Sequence, residues 1–291
     1  MKFAYFPGCT DHSSSLEYGL STQEVFKALG VDLVEIEDWN CCGAAATHSL
    51  NRLLSLCLPA RNISKAQSAQ AGPLVVPCAG CFSYLKRTEY VLKNDEAERK
   101  QIEEIVGFTY ELSLEILALM DVILNRIGLE KVQEKVKRPL KGLKAACYYG
   151  CALVRHPKIT QLDDPENPQY LDRLMKSLGA EPVEWSYKTD CCGADLAMTY
   201  SDVVKDLVRK IVSMAKEAGA QCIKSLFQIP SQFLFFLNQV DVKPLFGQPE
   251  RSRHAGEPAA HDQSLLFDFP LFLAYRLEPP GPLHRHPNEG H

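Results

Sequence analysis

Asn40-Cys41-Cys42-Gly43-Ala44 and Asp190-Cys191-Cys192-Gly193-Ala194 are one pattern written twice in the same chain. Upstream of the first copy, Tyr5-Phe6-Pro7-Gly8-Cys9 answers to Tyr148-Tyr149-Gly150-Cys151 upstream of the second. Downstream, Leu74-Val75-Val76-Pro77-Cys78-Ala79-Gly80-Cys81 answers to a run ending at Pro230, where Phe227 and Pro230 replace the two cysteines. Three stations recurring in the same order mark a duplicated unit. Between the stations, short apolar strands alternate with helical periodicity. Residues 2–6, 31–36 and 74–76 read as strands. Residues 17–29, with Leu20, Val25, Phe26 and Leu29 at helical spacing, read as a helix, and so do residues 50–69, kinked or broken at Pro59. The second half repeats the order, with strands at 144–149, 182–185 and 222–226 and helices at 170–178 and 203–218.

Strands alternating with helices predict parallel sheets. The expected fold is therefore α/β, with two pseudo-repeated units whose parallel-type sheets are flanked by helices. Loops that follow the strands of such a sheet gather at one edge, so the three cysteine stations of each half are expected to converge there. The expected divisions are a first repeat at 1–92, a helical connection at 93–140 with 116–124 its most apolar part, a second repeat at 141–240, and a linker and tail at 241–291. Within the last, 247–263 is polar with Pro and Gly, 265–277 is apolar enough to dock, and the end reads as disordered.

With 291 residues, 46% of them hydrophobic and 23% charged, the chain has the composition of a soluble globular protein. A net charge of −4 argues against broad nucleic-acid binding. The opening residues carry one lysine and a short apolar run broken at Pro7-Gly8, unlike a signal peptide, and no apolar run reaches bilayer length. A cytoplasmic location is expected. Eleven cysteines are then the anomaly, because a reducing compartment disfavours disulfides and clustered cysteines point to metal or redox chemistry.

The first repeat supplies Cys9, Cys41, Cys42, Cys78 and Cys81. Thiolates are soft ligands that suit iron–sulfur clusters and zinc. Neighbouring side chains such as Cys41 and Cys42 diverge, which suits different irons of one cluster better than one tetrahedral ion. Zinc uses four ligands, so five thiolates favour a cluster of several irons. A disulfide-exchanging C-x-x-C is the other reading, and it leaves Cys9, Cys41 and Cys42 unexplained.

A cysteine, a distant Cys-Cys-Gly and a later C-x-x-C, present twice, resembles the CCG-domain family, over roughly residues 1–240. Its best-known member is the heterodisulfide reductase B polypeptide, and the pattern looks most like the corresponding polypeptides of sulfur-oxidising heterodisulfide-reductase-like complexes. The resemblance implies a noncubane [4Fe-4S] cluster held by Cys9, Cys41, Cys42, Cys78 and Cys81, with substrate at the cluster. It implies an oxidoreductase acting on a disulfide, thiol or protein-bound sulfur. The implied partners are a ferredoxin-like iron–sulfur subunit, a flavin-binding subunit, and a lipoyl- or persulfide-carrying protein. Two other functions stay open: a structural zinc-binding scaffold, and an electron-transfer subunit of a hydroxy-acid oxidase complex. The second repeat departs from the pattern. Cys151, Cys191 and Cys192 form a candidate second, incomplete site, for which a cluster, zinc or an empty pocket all remain open.

Cys147 and Cys222 read as core residues on strands; an extended strand holds Cys147 about 13 Å from Cys151. Completion of the second site by either one is the alternative. Cys57 reads as packed core. His12 and His48 read as solvated or hydrogen-bonded, with reach to the cluster or a substrate as the sharper alternative. Arg155-His156 suits an anionic substrate or a turn before Pro157. His284, His286 and His291 read as a solvated tail. No G-x-G-x-x-G and no P-loop occurs, so any flavin belongs to a partner.

Overall fold

The computed structural model describes residues 1–12, 15–44, 47–197, 199–225, 242–244 and 274–277. Its first half builds on four short strands, β1 (Lys2–Tyr5), β2 (Asp32–Glu35), β3 (Leu74–Val76) and β4 (Ile116–Ala118). They form one parallel sheet in the order β2-β1-β3-β4. Helix α1 (Leu16–Ala28) connects β1 to β2, and α2 (Thr47–Leu50) and α3 (Arg52–Ala69) connect β2 to β3. Helices α4 (Ala79–Asn94) and α5 (Glu96–Val106) lead on to β4. All three residues of β3 are buried, as befits a strand covered on both faces.

The second half repeats this plan. It runs β5 (Lys144–Cys147), α8 (Cys151–Val154), α9 (Pro157–Thr160), α10 (Tyr170–Ser177), β6 (Glu181–Pro182), α11 (Ser201–Glu217) and β7 (Cys222–Lys224). Strands β6-β5-β7 are parallel and reproduce the order β2-β1-β3. An aromatic pair recurs as well: Phe6 meets Trp39 edge-on at 5.6 Å, and Tyr148 lies 6.5 Å from Trp185.

Three expectations need correction. The connection between the repeats is helical for most of its length, through α5, α6 (Leu119–Asp121), a π-helical turn at Val122–Ile127 and α7 (Leu129–Lys135). Its most apolar part nevertheless begins with β4, which pairs with β3; a short buried run does not distinguish strand from helix by periodicity. The region 241–291, expected as a linker and tail, supplies two strands: β9 (Ala274–Leu277), within the stretch expected to dock as a helix or extended segment, adds antiparallel to β7, and β8 (Val242–Pro244) adds antiparallel to β9. The polar stretch 247–263 and the histidines of the tail lie outside the described residues. Finally, α3 runs through Pro59 without a break. Proline removes one N–H, but the buried Leu56, Ala60, Ile63 and Ala66 hold both sides of that turn against the core.

One continuous core runs from Phe3, Phe26 and Phe82 in the first half to Ala145, Leu153 and Leu174 in the second. A smaller core lies under α11, around Val204, Val208 and Ile211. Of the spaced apolar residues in α1, Phe26 and Leu29 belong to the core, while Leu20 is exposed.

Candidate functional site

The first thiol set is assembled at the C-terminal edge of its sheet. Gly8 has φ +78° and turns the chain after β1 to present Cys9; a β-carbon at Gly8 would stand 3.2 Å from the Cys81 sulfur. Gly43 has φ +77° and turns the chain directly after Cys41-Cys42. This loop is clamped by the buried Asn62 of α3, whose Oδ1 accepts from the Asn40 N–H at 2.9 Å and whose Nδ2 donates to the Asn40 carbonyl at 2.8 Å. Cys78 follows β3 and caps α4, with Cys81 in the first turn. The free N–H groups of that turn favour negative charge on sulfur.

The five sulfurs form a chain of pairwise contacts. Cys41 hydrogen-bonds with both Cys9 and Cys42, the Sγ atoms of Cys42 and Cys81 are 3.2 Å apart, and Cys81 hydrogen-bonds with Cys78. Cys42 and Cys81 are buried, Cys78 is half-buried, and Cys9 and Cys41 are exposed. Hydrogen bonds from Cys42 and Cys9 hold the Cys41 thiol below its ordinary range, and one from Cys81 does the same for Cys78. Cys9 and Cys42 are pushed up, first by their bond to Cys41, and Cys81 first by its bond to Cys42. Negative charge is thus favoured on Cys41 and Cys78 and opposed on the other three. Cationic charge among them would remove that penalty. Among the described residues, no group of three or more His, Cys, Asp or Glu side chains closes on a single metal-ion position. Five soft donors in one contact chain suit a polynuclear thiolate-ligated group.

The second set is smaller. Cys151 bonds to Cys191, whose thiol falls to about 6, chiefly through that bond and also through the Gly193 N–H at 3.3 Å. Cys192 is pushed up by burial and bonds with Tyr148, whose hydroxyl donates to the Asp190 carbonyl at 2.8 Å. Phe227 and Pro230, at the third station, lie outside the described residues. Cys147 and Cys222 are fully buried on β5 and β7 and Cys147 is part of the shared core, while Cys57 is half-buried against it.

Each described histidine named above has a partner. His12 lies 3.0 Å from Glu35 at the surface, and His48 Nδ1 lies 2.8 Å from the Tyr84 hydroxyl. His156 takes φ +65° ahead of Pro157, with its Nε2 3.5 Å from Arg87. Arg155 pairs with Glu166 at 2.8 Å and donates to Thr189 at 3.1 Å. Sequence reasoning missed Asn62, Tyr84, Arg87 and Asp195. Only Tyr84 carried a hint, as it stands about one turn beyond Cys81 on the same helix.

An α/β fold that gathers cysteines from loops at a sheet edge, from three stations in the first repeat and two in the second, defines a class of cysteine-motif proteins. The family described as the CCG cysteine-rich domain matches residues 3–86 and 145–225, more than half of the chain, and the chain belongs to that family. It is similar to the B polypeptide of the ferredoxin:CoB-CoM heterodisulfide reductase of Methanosarcina mazei, being 28% identical over 76% of this chain and 75% of that one. It is 29% identical to the 8-methylmenaquinol:fumarate reductase membrane anchor subunit of Wolinella succinogenes, over 76% of this chain and 78% of that one. Lactate utilization protein A of Bacillus pumilus is 27% identical over 77% of this chain and 86% of that one. Among solved structures, a hypothetical protein from Helicobacter pylori superposes with a TM-score of 0.60 at 13% identity, over 81% of this chain and 43% of that one. This chain thus spans less than half of that protein, and the likeness concerns fold alone. Among the described residues no helix is long and apolar enough to cross a membrane.

Proposed function

We propose that this chain is the iron–sulfur subunit of a heterodisulfide-reductase-like oxidoreductase complex. Cys9, Cys41, Cys42, Cys78 and Cys81 hold a noncubane [4Fe-4S] cluster, and the substrate is a disulfide, a thiol or a protein-bound sulfur. The observation that carries the reading is the contact chain of five thiols at one sheet edge. When bound, such a cluster supplies one-electron chemistry beside a sulfur ligand. The protein's part is to fix the donors: Gly8 and Gly43 turn the loops, Asn62 clamps one of them, and the first turn of α4 favours charge on Cys78. Two similar proteins are named as reductase subunits, which supports the redox class. Electrons then come from partners, a ferredoxin-like iron–sulfur subunit and a flavin-binding subunit, because the chain carries no dinucleotide motif.

Anaerobic iron and acid-labile sulfide analysis with EPR tests the cofactor. About four irons per chain, lost in a Cys78→Ser/Cys81→Ser variant, is the expected result. Zinc without sulfide overturns it and leaves a structural subunit. The likeness to lactate utilization protein A favours a second reading, electron transfer within a hydroxy-acid oxidising complex. Turnover of lactate but of no disulfide or sulfane-sulfur substrate by the purified complex would select it.

A further inference from the structure

Where α4 of the first repeat packs on α8 and α9 of the second lies a group of polar side chains that the thiol sets do not use. His48 of α2, with Tyr84 and Arg87 of α4, come from the first repeat; His156, ahead of α9, and Asp195, just after Cys191-Cys192-Gly193, come from the second. The Tyr84 hydroxyl and His48 Nδ1 share a hydrogen bond of 2.8 Å. The tyrosine is only 9% exposed, whereas the histidine faces solvent. The Arg87 guanidinium lies 5.4 Å from the centre of the Tyr84 ring, and its Nη2 is 3.5 Å from His156 Nε2. Asp195 acts electrostatically on both Tyr84 and His48, and Cys42 acts on Tyr84. Desolvation is the main effect that keeps the phenol protonated, with Asp195 and Cys42 adding to it and Arg87 opposing. A buried phenol one helical turn beyond Cys81, bonded to an imidazole open to water, has the form of a proton path. An imidazole is the side chain suited to exchanging protons with water near neutral pH.

We infer that Tyr84 is the proton donor to sulfur leaving at the first thiol set, and that His48 resupplies Tyr84 from solvent. The inference rests on the function proposed above. A disulfide R–S–S–R′ that takes two electrons, delivered singly by a partner redox subunit, breaks its S–S bond to give two thiolates. For each thiolate the Tyr84 hydroxyl gives up its proton, His48 returns one to the phenolate oxygen, and water restores His48. The balance is two electrons and two protons consumed and two thiols formed. In the opposite direction the same pair removes the proton from an incoming thiol. Arg87 and Asp195 position the pair, one from each repeat.

The test compares the wild-type complex with Tyr84→Phe and His48→Gln complexes, each first assayed for iron, acid-labile sulfide and EPR line shape. Two probes are used: bis(2-hydroxyethyl) disulfide, whose alkyl thiolate needs a proton to leave, and 5,5′-dithiobis(2-nitrobenzoate), whose stabilised aryl thiolate does not. Iron, sulfide and EPR are expected to match wild type in both variants. Tyr84→Phe is expected to lose about 10²–10⁴-fold in turnover of the alkyl disulfide while keeping the aryl disulfide within about threefold. His48→Gln is expected to show a smaller loss, on the alkyl probe alone. Equal losses on both probes, no loss on either, or loss of iron from Tyr84→Phe would overturn the relay and leave the proposed function standing. A wild-type complex that carries iron and sulfide but turns over neither probe overturns the proposed function and the relay with it.

Discussion

Two residues illustrate how single side chains tune this molecule. Gly8 combines a left-handed backbone, φ +78°, with a site where a methyl group would lie 3.2 Å from the Cys81 sulfur. Gly142 has nearly the same backbone, φ +76°, with nothing within 4 Å. Gly8→Ala and Gly142→Ala therefore carry a similar conformational cost, about 1 kcal/mol, and only the first crowds the thiol set. Iron content of purified protein is expected to fall at least twofold in Gly8→Ala and to be unchanged in Gly142→Ala; equal losses would assign the effect to backbone strain. Asp121 is a second case. Burial is the main cause that raises its carboxyl to about 6, against opposing bonds from the Ala118 backbone and Asn125. The folded chain keeps this proton to higher pH than the unfolded chain, so stability from this group is complete below about pH 4 and is lost as pH rises through 6. Asp121→Asn is expected to gain about 1–2 kcal/mol at pH 7, seen as a melting temperature higher by about 2–6 °C, and to match wild type near pH 4. A gain of the same size at both pH values would show that ionisation is not its source.

At the scale of elements, α3 does more than cover the sheet. Asn51 caps it by accepting from the Leu54 N–H at 2.9 Å. Farther along, Asn62 satisfies both backbone groups of Asn40 and so holds the Cys41-Cys42 loop on the helix. Losing a cap costs about 1 kcal/mol, whereas leaving the two part-buried backbone groups of Asn40 unpaired costs up to about 1–3 kcal/mol for each. In anaerobic urea denaturation, Asn62→Ala is thus expected to lose at least twice the stability that Asn51→Ala loses. It is also expected to release iron faster to a chelator. Equal stability losses with unchanged release would mean that the loop is held by other contacts.

Across the whole molecule, the two repeats share one core, and the second repeat carries a buried polar anchor in place of part of its apolar packing. Lys188 is 2% exposed and reaches Asp172 at 2.9 Å, and the Tyr149 hydroxyl donates to the same carboxylate at 2.6 Å. The Lys188 carbonyl accepts from the N–H groups of Tyr149 and Gly150, just before Cys151. The anchor therefore fastens the loop after β5 to the loop before Cys191. Lys188→Met strands a buried carboxylate and is expected to cost about 3–5 kcal/mol, with the Cys151–Cys191 thiol pair reacting faster with a maleimide than in wild type. A Lys188→Met/Asp172→Leu double variant is expected to recover part of the stability. A double variant less stable than the single one would refute the account.

Much of this was legible in the residues themselves. The duplicated Cys-Cys-Gly, the alternation of strands and helices, and the placing of cysteines after strands are local, periodic features. Short-range sterics and side-chain chemistry impose them wherever the chain goes. Gly8, Gly43 and Gly193 belong here, because each stands where φ is positive. Other features exist only through contacts between residues distant in sequence. The strand β4 arises because Ile116-Leu117-Ala118 meets β3, β9 because its segment returns to β7, and α3 passes Pro59 because the core grips both sides. The hydrogen bond of Tyr84 with His48 is of the same kind. No periodicity marks it, because it joins residues far apart in the chain whose nearness only the packed fold decides.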